Sequence, residues 1–212
     1  MTATELIVVR HGETIWNSQA RIQGHQDSEL TPVGLGQAKA IAGRLAKMKF
    51  HALYSSDLKR AQRTAECIAE LTGHKIILDD RLRERNMGIF EGLTREEILE
   101  KFADEYANIR AHEPTYSIPG GESLQDKYNR TIGCFVDIVN TNPGKVVVVV
   151  THGGVLDDLI RFTLEIPLTK PRKFRLFNAG LNTFLIRDGV WMLGTWGDVA
   201  HLSESSSLEH WH

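Results

Sequence analysis

Two runs of β-branched residues restrict the fold of this chain more than any other feature in it. Residues 5–10 (ELIVVR) and 145–151 (KVVVVVT) are continuously apolar rather than alternating. Both faces of such a strand must be covered, which is the condition inside a parallel sheet. Residues 51–55 and 75–78 are shorter runs of the same kind. Residues 181–187 and 190–196 flank Asp188-Gly189, a two-residue hairpin signal that makes this last pair antiparallel.

Helical patterns alternate with these strands. Thr31-Pro32 reads as an N-cap followed by proline at the first helical position, for a helix to about residue 47. Ser56 or Asp57 is expected to cap the next, with Leu58, Ala61, Ala65, Ile68 and Leu71 facing the core. Thr94-Arg95-Glu96-Glu97 matches a capping box, Ser123 opens a helix to about residue 139, and residues 153–163 supply another. The expected fold is therefore α/β: a three-layer α/β/α arrangement, with a mainly parallel central sheet and an antiparallel C-terminal hairpin. Residues 84–121 add a helix and loops without a strand, and read as a helical insertion over the sheet's active edge. One domain is expected over residues 1–202, with a polar tail at 203–212 to which no function is assigned.

Bulk properties remove several classes of function. The 25 basic and 27 acidic side chains are well mixed, leaving a net charge of -2. Neither a nucleic-acid stripe nor a disordered acidic tail is present. Positive potential for an anionic ligand must then be local. Cys67 and Cys134 lie in apolar, helix-like runs and read as buried free thiols. The longest apolar run, residues 146–150, is too short to cross a bilayer, and the opening residues lack the apolar core of a signal peptide. No membrane partner and a cytoplasmic location are expected.

In open α/β sheets ligands bind beyond the carboxyl ends of the strands. Two strands here end alike: Arg10-His11-Gly12-Glu13-Thr14 closes the first, and Thr151-His152-Gly153-Gly154 closes the valine run. Each sets a histidine before glycine, where backbone can approach a ligand. If the strands are neighbours, the histidines share a pocket. On this alone, satisfied loop histidines and a catalytic pair are evenly matched. Arginine placement tips the balance. Arg10 ends a buried strand and Arg60 lies in the first turn of a helix, and each needs an anion to offset its desolvation. Paired guanidiniums with a histidine make a phosphoryl clamp. The chain has no G-x-x-x-x-G-K-[ST] loop, no H-E-x-x-H or cysteine cluster for a metal, and no G-x-S-x-G elbow.

Arg10-His11-Gly12-Glu13-Thr14 with Trp16-Asn17 resembles the signature of the histidine phosphatase superfamily, also called phosphoglycerate-mutase-like. Arg21-Ile22-Gln23-Gly24, Leu30-Thr31-Pro32 with Gly34, Ser55-Ser56-Asp57-Leu58 with Arg60-Ala61, Leu82-Arg83-Glu84, Gly120-Gly121-Glu122-Ser123 and Thr151-His152-Gly153-Gly154 fall in the family's order. The resemblance implies a metal-independent enzyme without a cofactor, acting on a small-molecule phosphate ester. His11 would be the nucleophile that holds the phosphoryl group covalently, with one ring nitrogen donating to a backbone carbonyl. Arg10, Arg60 and His152 would surround its oxygens. Glu84 would be the general acid and base, a role that calls for a carboxyl pKa raised towards neutrality. Without the resemblance Glu84 reads as an ion-pair partner of Arg81, Arg83 or Arg85. Asn17, Gln23, Gly24 and the Gly153 N–H would complete substrate binding.

The resemblance also separates branches. Cofactor-dependent mutases follow the acidic glutamate with arginine, one residue and tyrosine, whereas this chain has Glu84-Arg85-Asn86-Met87. Gln23-Gly24 is similar to the phosphatase branch, where mutases carry threonine-glycine, and residues 108–112 offer only Arg110 in place of an arginine pair. Phosphomonoester hydrolysis is the expected reaction. A phosphoglycerate mutase is the alternative, and an inactive phospho-ligand or protein-binding member the second. Phe90, Phe102, Tyr106, Arg110 and Tyr116 are candidates to line a selecting surface, although the aromatics equally suit a small core. The sequence leaves the oligomeric state open.

Overall fold

The computed structural model describes residues 3–111 and 113–202, so the tail expected at 203–212 lies outside them. Strands β1 (Thr4–Arg10), β2 (Ala52–Ser55), β3 (Ile76–Leu78), β4 (Val146–Thr151), β5 (Leu181–Arg187) and β6 (Val190–Asp198) form one sheet in the order β3-β2-β4-β1-β5-β6. β1, β2, β3 and β4 pair in parallel, and β5 runs antiparallel to both β1 and β6. Asp188 and Gly189 both take positive φ, 51° and 79°, as their two-residue turn requires. The helices are α1 (Ile15–Ser18), α2 (Pro32–Leu45), α3 (Lys59–Thr72), α4 (Arg95–Lys101), α5 (Ala103–Arg110), α6 (Leu124–Thr141) and α7 (Gly153–Thr163).

The continuous apolar runs are continuous because both faces of β1 and β4 are packed. Ile7, Val9, Val148 and Val150 join Ile41 and Leu45 of α2 and Ala61, Ala65 and Ile68 of α3 on one side. Leu6, Val8, Val147 and Val149 join Phe135 and Ile138 of α6 and Leu156 and Leu159 of α7 on the other. Each such side chain contributes about 1.5–3 kcal/mol on burial, so the two central strands anchor the three-layer fold. Cys67 and Cys134 are buried free thiols in these layers. None of the described helices is long and apolar enough to cross a membrane.

Three local expectations need correction. Helix α3 starts at Lys59 with Leu58 as its N-cap and no side-chain cap of its own. Ser56 and Asp57 are engaged elsewhere: the Ser56 hydroxyl meets His152, and the Asp57 carboxylate meets Arg83. The open N–H groups of Lys59 and Arg60 donate instead to the carboxylate of Asp27. Leu71, expected in the core, is 59% exposed. It lies in the last turn of α3. The stretch 84–121 holds two helices rather than one. Phe90, Ile98 and Ile118 form a small core there, with Phe102, Tyr106 and Tyr116 packed against it, so these aromatics hold the insertion together.

The insertion is tied to the edge of the sheet by two acids. Glu97 pairs with Arg21, and the Glu91 carboxylate accepts from the N–H groups of His25, Gln26 and Met87. The loop after β1 is fixed by a different device. A Cβ on Gly34, in the first turn of α2, would overlap the carbonyl oxygen of Glu13, and one on Gly12 would overlap that of Gly34. Gly34→Ala should therefore cost about 1–3 kcal/mol. Gly36→Ala two residues on meets nothing within 4 Å, and should leave stability unchanged or raise it by up to about 1 kcal/mol. Urea unfolding of the two variants beside wild type checks the contrast.

Candidate active site

The register of β1 on β4 sets Arg10 opposite Thr151. The residues that follow, His11 and His152, therefore emerge side by side, with ring centroids 5.3 Å apart. The two rings are adjacent as expected from matching strand ends, although His152 is fully buried and His11 alone of the pair lines the cavity beside them. That cavity, of about 250 Å³, is lined by Arg10, His11, Asn17, Gln23, Gly24, Arg60 and Glu84, together with Arg21, Ile22 and Met87. Seven of the nine residues singled out from sequence line that cavity. His152 lies beside His11, and Gly153 lies against the guanidinium of Arg10.

The tautomer of His11 follows from its partner. Nδ1 is 2.8 Å from the carbonyl oxygen of Gly12, and a carbonyl only accepts, so Nδ1 carries the proton and Nε2 keeps its lone pair. Burial, then the charges of Arg60 and Arg10, hold the imidazole well below its ordinary value of 6.5, and the neutral form prevails. His152 is depressed for the same reasons, burial first and then Arg60, His11 and Arg10. Its Nε2 lies 2.8 Å from the Ser56 hydroxyl.

Both arginines are held by protein oxygens on one side. Arg60, 2% exposed, donates to the Asp27 carboxylate and to the carbonyls of Gln26 and Gly24. Arg10 donates to the carbonyl of Leu176. Burial pulls the Arg10 guanidinium down to about 10, with Glu84 acting in the opposite sense, so it stays charged at neutral pH. Arg10 Nε, Arg60 Nε and His152 Nδ1 are buried without a hydrogen-bond partner. Native proteins rarely leave such groups unsatisfied, so these three nitrogens, whose residues lie close to His11, remain open to an acceptor.

Glu84 departs from expectation. It makes no ion pair with its neighbours, because Arg81 pairs with Asp79 and Asp137, Arg83 with Asp57, and the Arg85 side chain donates to the Glu122 carbonyl. Its carboxylate accepts from the N–H groups of Arg85 and Gly154, each at 2.8 Å. Burial pushes the carboxyl up. Lys127, the two N–H groups and Arg60 outweigh burial, and the net shift is below the ordinary carboxylate value rather than towards neutrality. In the free site Glu84 is the counter-charge to the arginines.

Sequence reasoning passed over Asp27, which orients Arg60 and caps α3, and Gly154, whose N–H holds Glu84. No local signal pointed to Asp27, because Ser56 and Asp57 both looked like the cap of that helix. For Gly154 the signal was the second glycine after His152. Asn17 lines the cavity, and its side-chain oxygen also accepts from the N–H of Thr14 in the capping box of α1. Among the described residues no group of three or more histidine, cysteine or acidic side chains could hold a metal ion.

A parallel-sheet fold with paired histidines and buried arginines at its carboxyl edge belongs to a class that handles phosphate. The model of the histidine phosphatase superfamily (branch 1) matches residues 6–199, and the chain belongs to that family. It is 42% identical over 210 residues to phosphoglycerate mutase-like protein 4 of Arabidopsis thaliana, covering 97% of this chain and 90% of that one. It is 40% identical over 210 residues to a metal-independent phosphoserine phosphatase of the same plant, covering 97% and 86%. Among solved structures, a mutant phosphoserine phosphatase of Entamoeba histolytica in complex with phosphoserine superposes with a TM-score of 0.84 at 34% identity, over 94% of this chain and 99% of the other. The chain is thus an enzyme of phosphoester chemistry.

The depressed histidines tie the site to stability. Below about 6.5 the unfolded chain binds protons at both histidines while the folded protein does not, so their contribution is present above that pH and declines as pH falls towards the folded values. Urea midpoints should drop between pH 7 and pH 5. The His11→Asn/His152→Asn double variant should show a visibly shallower drop. A slope identical to wild type would place the proton uptake elsewhere.

Proposed function

We propose that the protein hydrolyses small phosphomonoesters through a phosphohistidine on His11, with Arg10, Arg60 and His152 holding the phosphoryl oxygens. The observation that carries this reading is the set of three unpartnered buried nitrogens beside an imidazole whose Nε2 lone pair is free. Nε2 attacks phosphorus, the P–N bond forms, and the bond to the ester oxygen breaks. Positive charge from Arg10 and Arg60, placed before the reaction begins, stabilises charge spreading over the equatorial oxygens.

Glu84 manages the protons. Ionised in the free site, it gains proton affinity when a phosphate dianion arrives beside it, because like charges in a buried space resist coexistence. The protonated carboxyl then delivers its proton to the leaving alkoxide. Once the alcohol departs, the carboxylate takes a proton from water, the water oxygen bonds to phosphorus, the P–N bond breaks, and inorganic phosphate leaves. Asn17, Gln23, Gly24 and the Gly153 N–H position the substrate. A cavity of about 250 Å³ suits a small molecule, in keeping with the phosphoserine and 3-phosphoglyceric acid bound to the E. histolytica protein.

Met87 lines the pocket where the family's mutases carry tyrosine, so one fewer polar group retains a phosphorylated product for a return transfer. This favours release and attack by water over the mutase reaction. Purified protein should release phosphate from an aryl phosphate in the presence of EDTA, and His11→Ala should lower that rate by at least about 1,000-fold. An absence of release by wild type across aryl and alkyl phosphates would overturn the reading.

A further inference from the structure

Behind Glu84 the molecule buries a second charged pair that the proposed chemistry does not touch. Lys127 of α6 and Asp158 of α7 are 2% and 1% exposed, with Nζ 3.0 Å from Oδ1. A buried ion pair is weak evidence for stability, since an apolar pair of similar volume commonly does as well or better. Its surroundings give it another meaning. Lys127 Nζ also donates to the carbonyl of Gly154 at 2.8 Å. The N–H of the same glycine donates to Glu84 Oε2 at 2.8 Å. A Cβ at residue 154 would overlap Glu84 Oε1, so backbone and carboxylate are pressed together. One residue therefore joins the buried ammonium to the carboxylate.

We propose that Lys127, held by Asp158, is a positioning residue that fixes the Gly154 backbone under Glu84 and sets the charge balance in which Glu84 gives and takes its proton. The inference rests on the acid–base role of Glu84 given above. Charged and titratable groups around Glu84 include Arg10 from β1, Arg60 from α3, Arg85 next to it in the chain, Lys127 and Arg130 from α6, Asp158 from α7, and His25, of which Arg130 and His25 meet its backbone carbonyl. The first three arginines have other partners: Asp27 and backbone carbonyls for Arg60, Leu176 for Arg10, and Glu122 for Arg85. Among the described residues, Lys127 Nζ meets the Gly154 carbonyl and Asp158. Burial drives the Asp158 carboxyl up to about 6 against the pull of Lys127.

The test compares Lys127→Met and the double variant Lys127→Met/Asp158→Leu, which removes the charge without stranding a buried carboxylate. Two readouts follow Glu84. A good aryl leaving group needs little protonation and an alkoxide needs much, so a Glu84 no longer held in line with the leaving oxygen should lower the ratio of alkyl to aryl phosphate turnover at least tenfold in the double variant, with kcat rather than KM carrying the loss. The 13C shift of the Glu84 carboxyl, assigned by its disappearance in Glu84→Gln, should titrate at least about one pH unit higher. A folded double variant with an unchanged ratio and an unchanged titration overturns the proposal. Should wild type cleave neither ester, the hydrolase reading falls, and the titration still decides whether Lys127 governs Glu84. A double variant that loses aryl and alkyl turnover equally, with no move in the titration, marks a merely structural pair and also overturns it.

Discussion

Positive charge buried at one end of a sheet is the constraint around which this protein is arranged. Arg10 and Arg60 would be costly to bury alone, yet neutralising them completely would leave nothing for a phosphate to bind. The structure divides the guanidinium of each in two. Most of the donors of Arg60 are spent on Asp27, Gln26 and Gly24, and an Arg10 donor on Leu176, while one Nε on each stays unpaired. Burial, reinforced by the same two charges, keeps His11 and His152 neutral, which is what a nitrogen nucleophile requires.

That arrangement depends on backbone placed by glycine. Gly12 and Gly34 let the loop after β1 lie on the start of α2 with no room for a Cβ, Gly24 does the same against the Glu91 side chain at φ +55°, and Gly154 against Glu84. A methyl group at any of these points would meet a backbone carbonyl or a carboxylate and force the loop or the side chain to shift. The strands bring the histidines together, and the glycines set the distances around them.

Much of this was legible in the sequence. Doubly buried strands announce themselves by unbroken valine runs, and the hairpin by Asp188-Gly189, because these signals depend on neighbours in the chain. The pairing of two histidines followed from identical strand ends once β1 and β4 were taken as adjacent. What sequence did not give depends on partners far away in the chain. Asp27 caps a helix that starts more than thirty residues later, and Ser56, which looked like that cap, is spent on a histidine ninety-six residues away. The proton affinity of Glu84 is the sharpest case. The chemistry asks for a raised carboxyl, and motif reasoning supplied that value. The free site holds it low, because Lys127 and two N–H groups from α7 and the Glu84 segment meet there.

The low resting value need not conflict with acid catalysis, because the site's charge changes during turnover. In the free enzyme Glu84 offsets cationic neighbours, and it must be ionised to do so. On the proposed mechanism a bound phosphate dianion takes over that duty as the counter-charge to Arg10 and Arg60. The carboxyl then has less cationic charge to answer and more negative charge beside it, and its proton becomes easier to hold. Transfer to His11 and departure of the alcohol reverse part of that shift, returning the carboxylate as a base when water enters. A lysine fixed behind the peptide sets the starting point of this swing, and the substrate supplies the rest. On this view a carboxyl permanently raised towards neutrality would be a poorer catalyst, since it would hold its proton in the step where water must lose one.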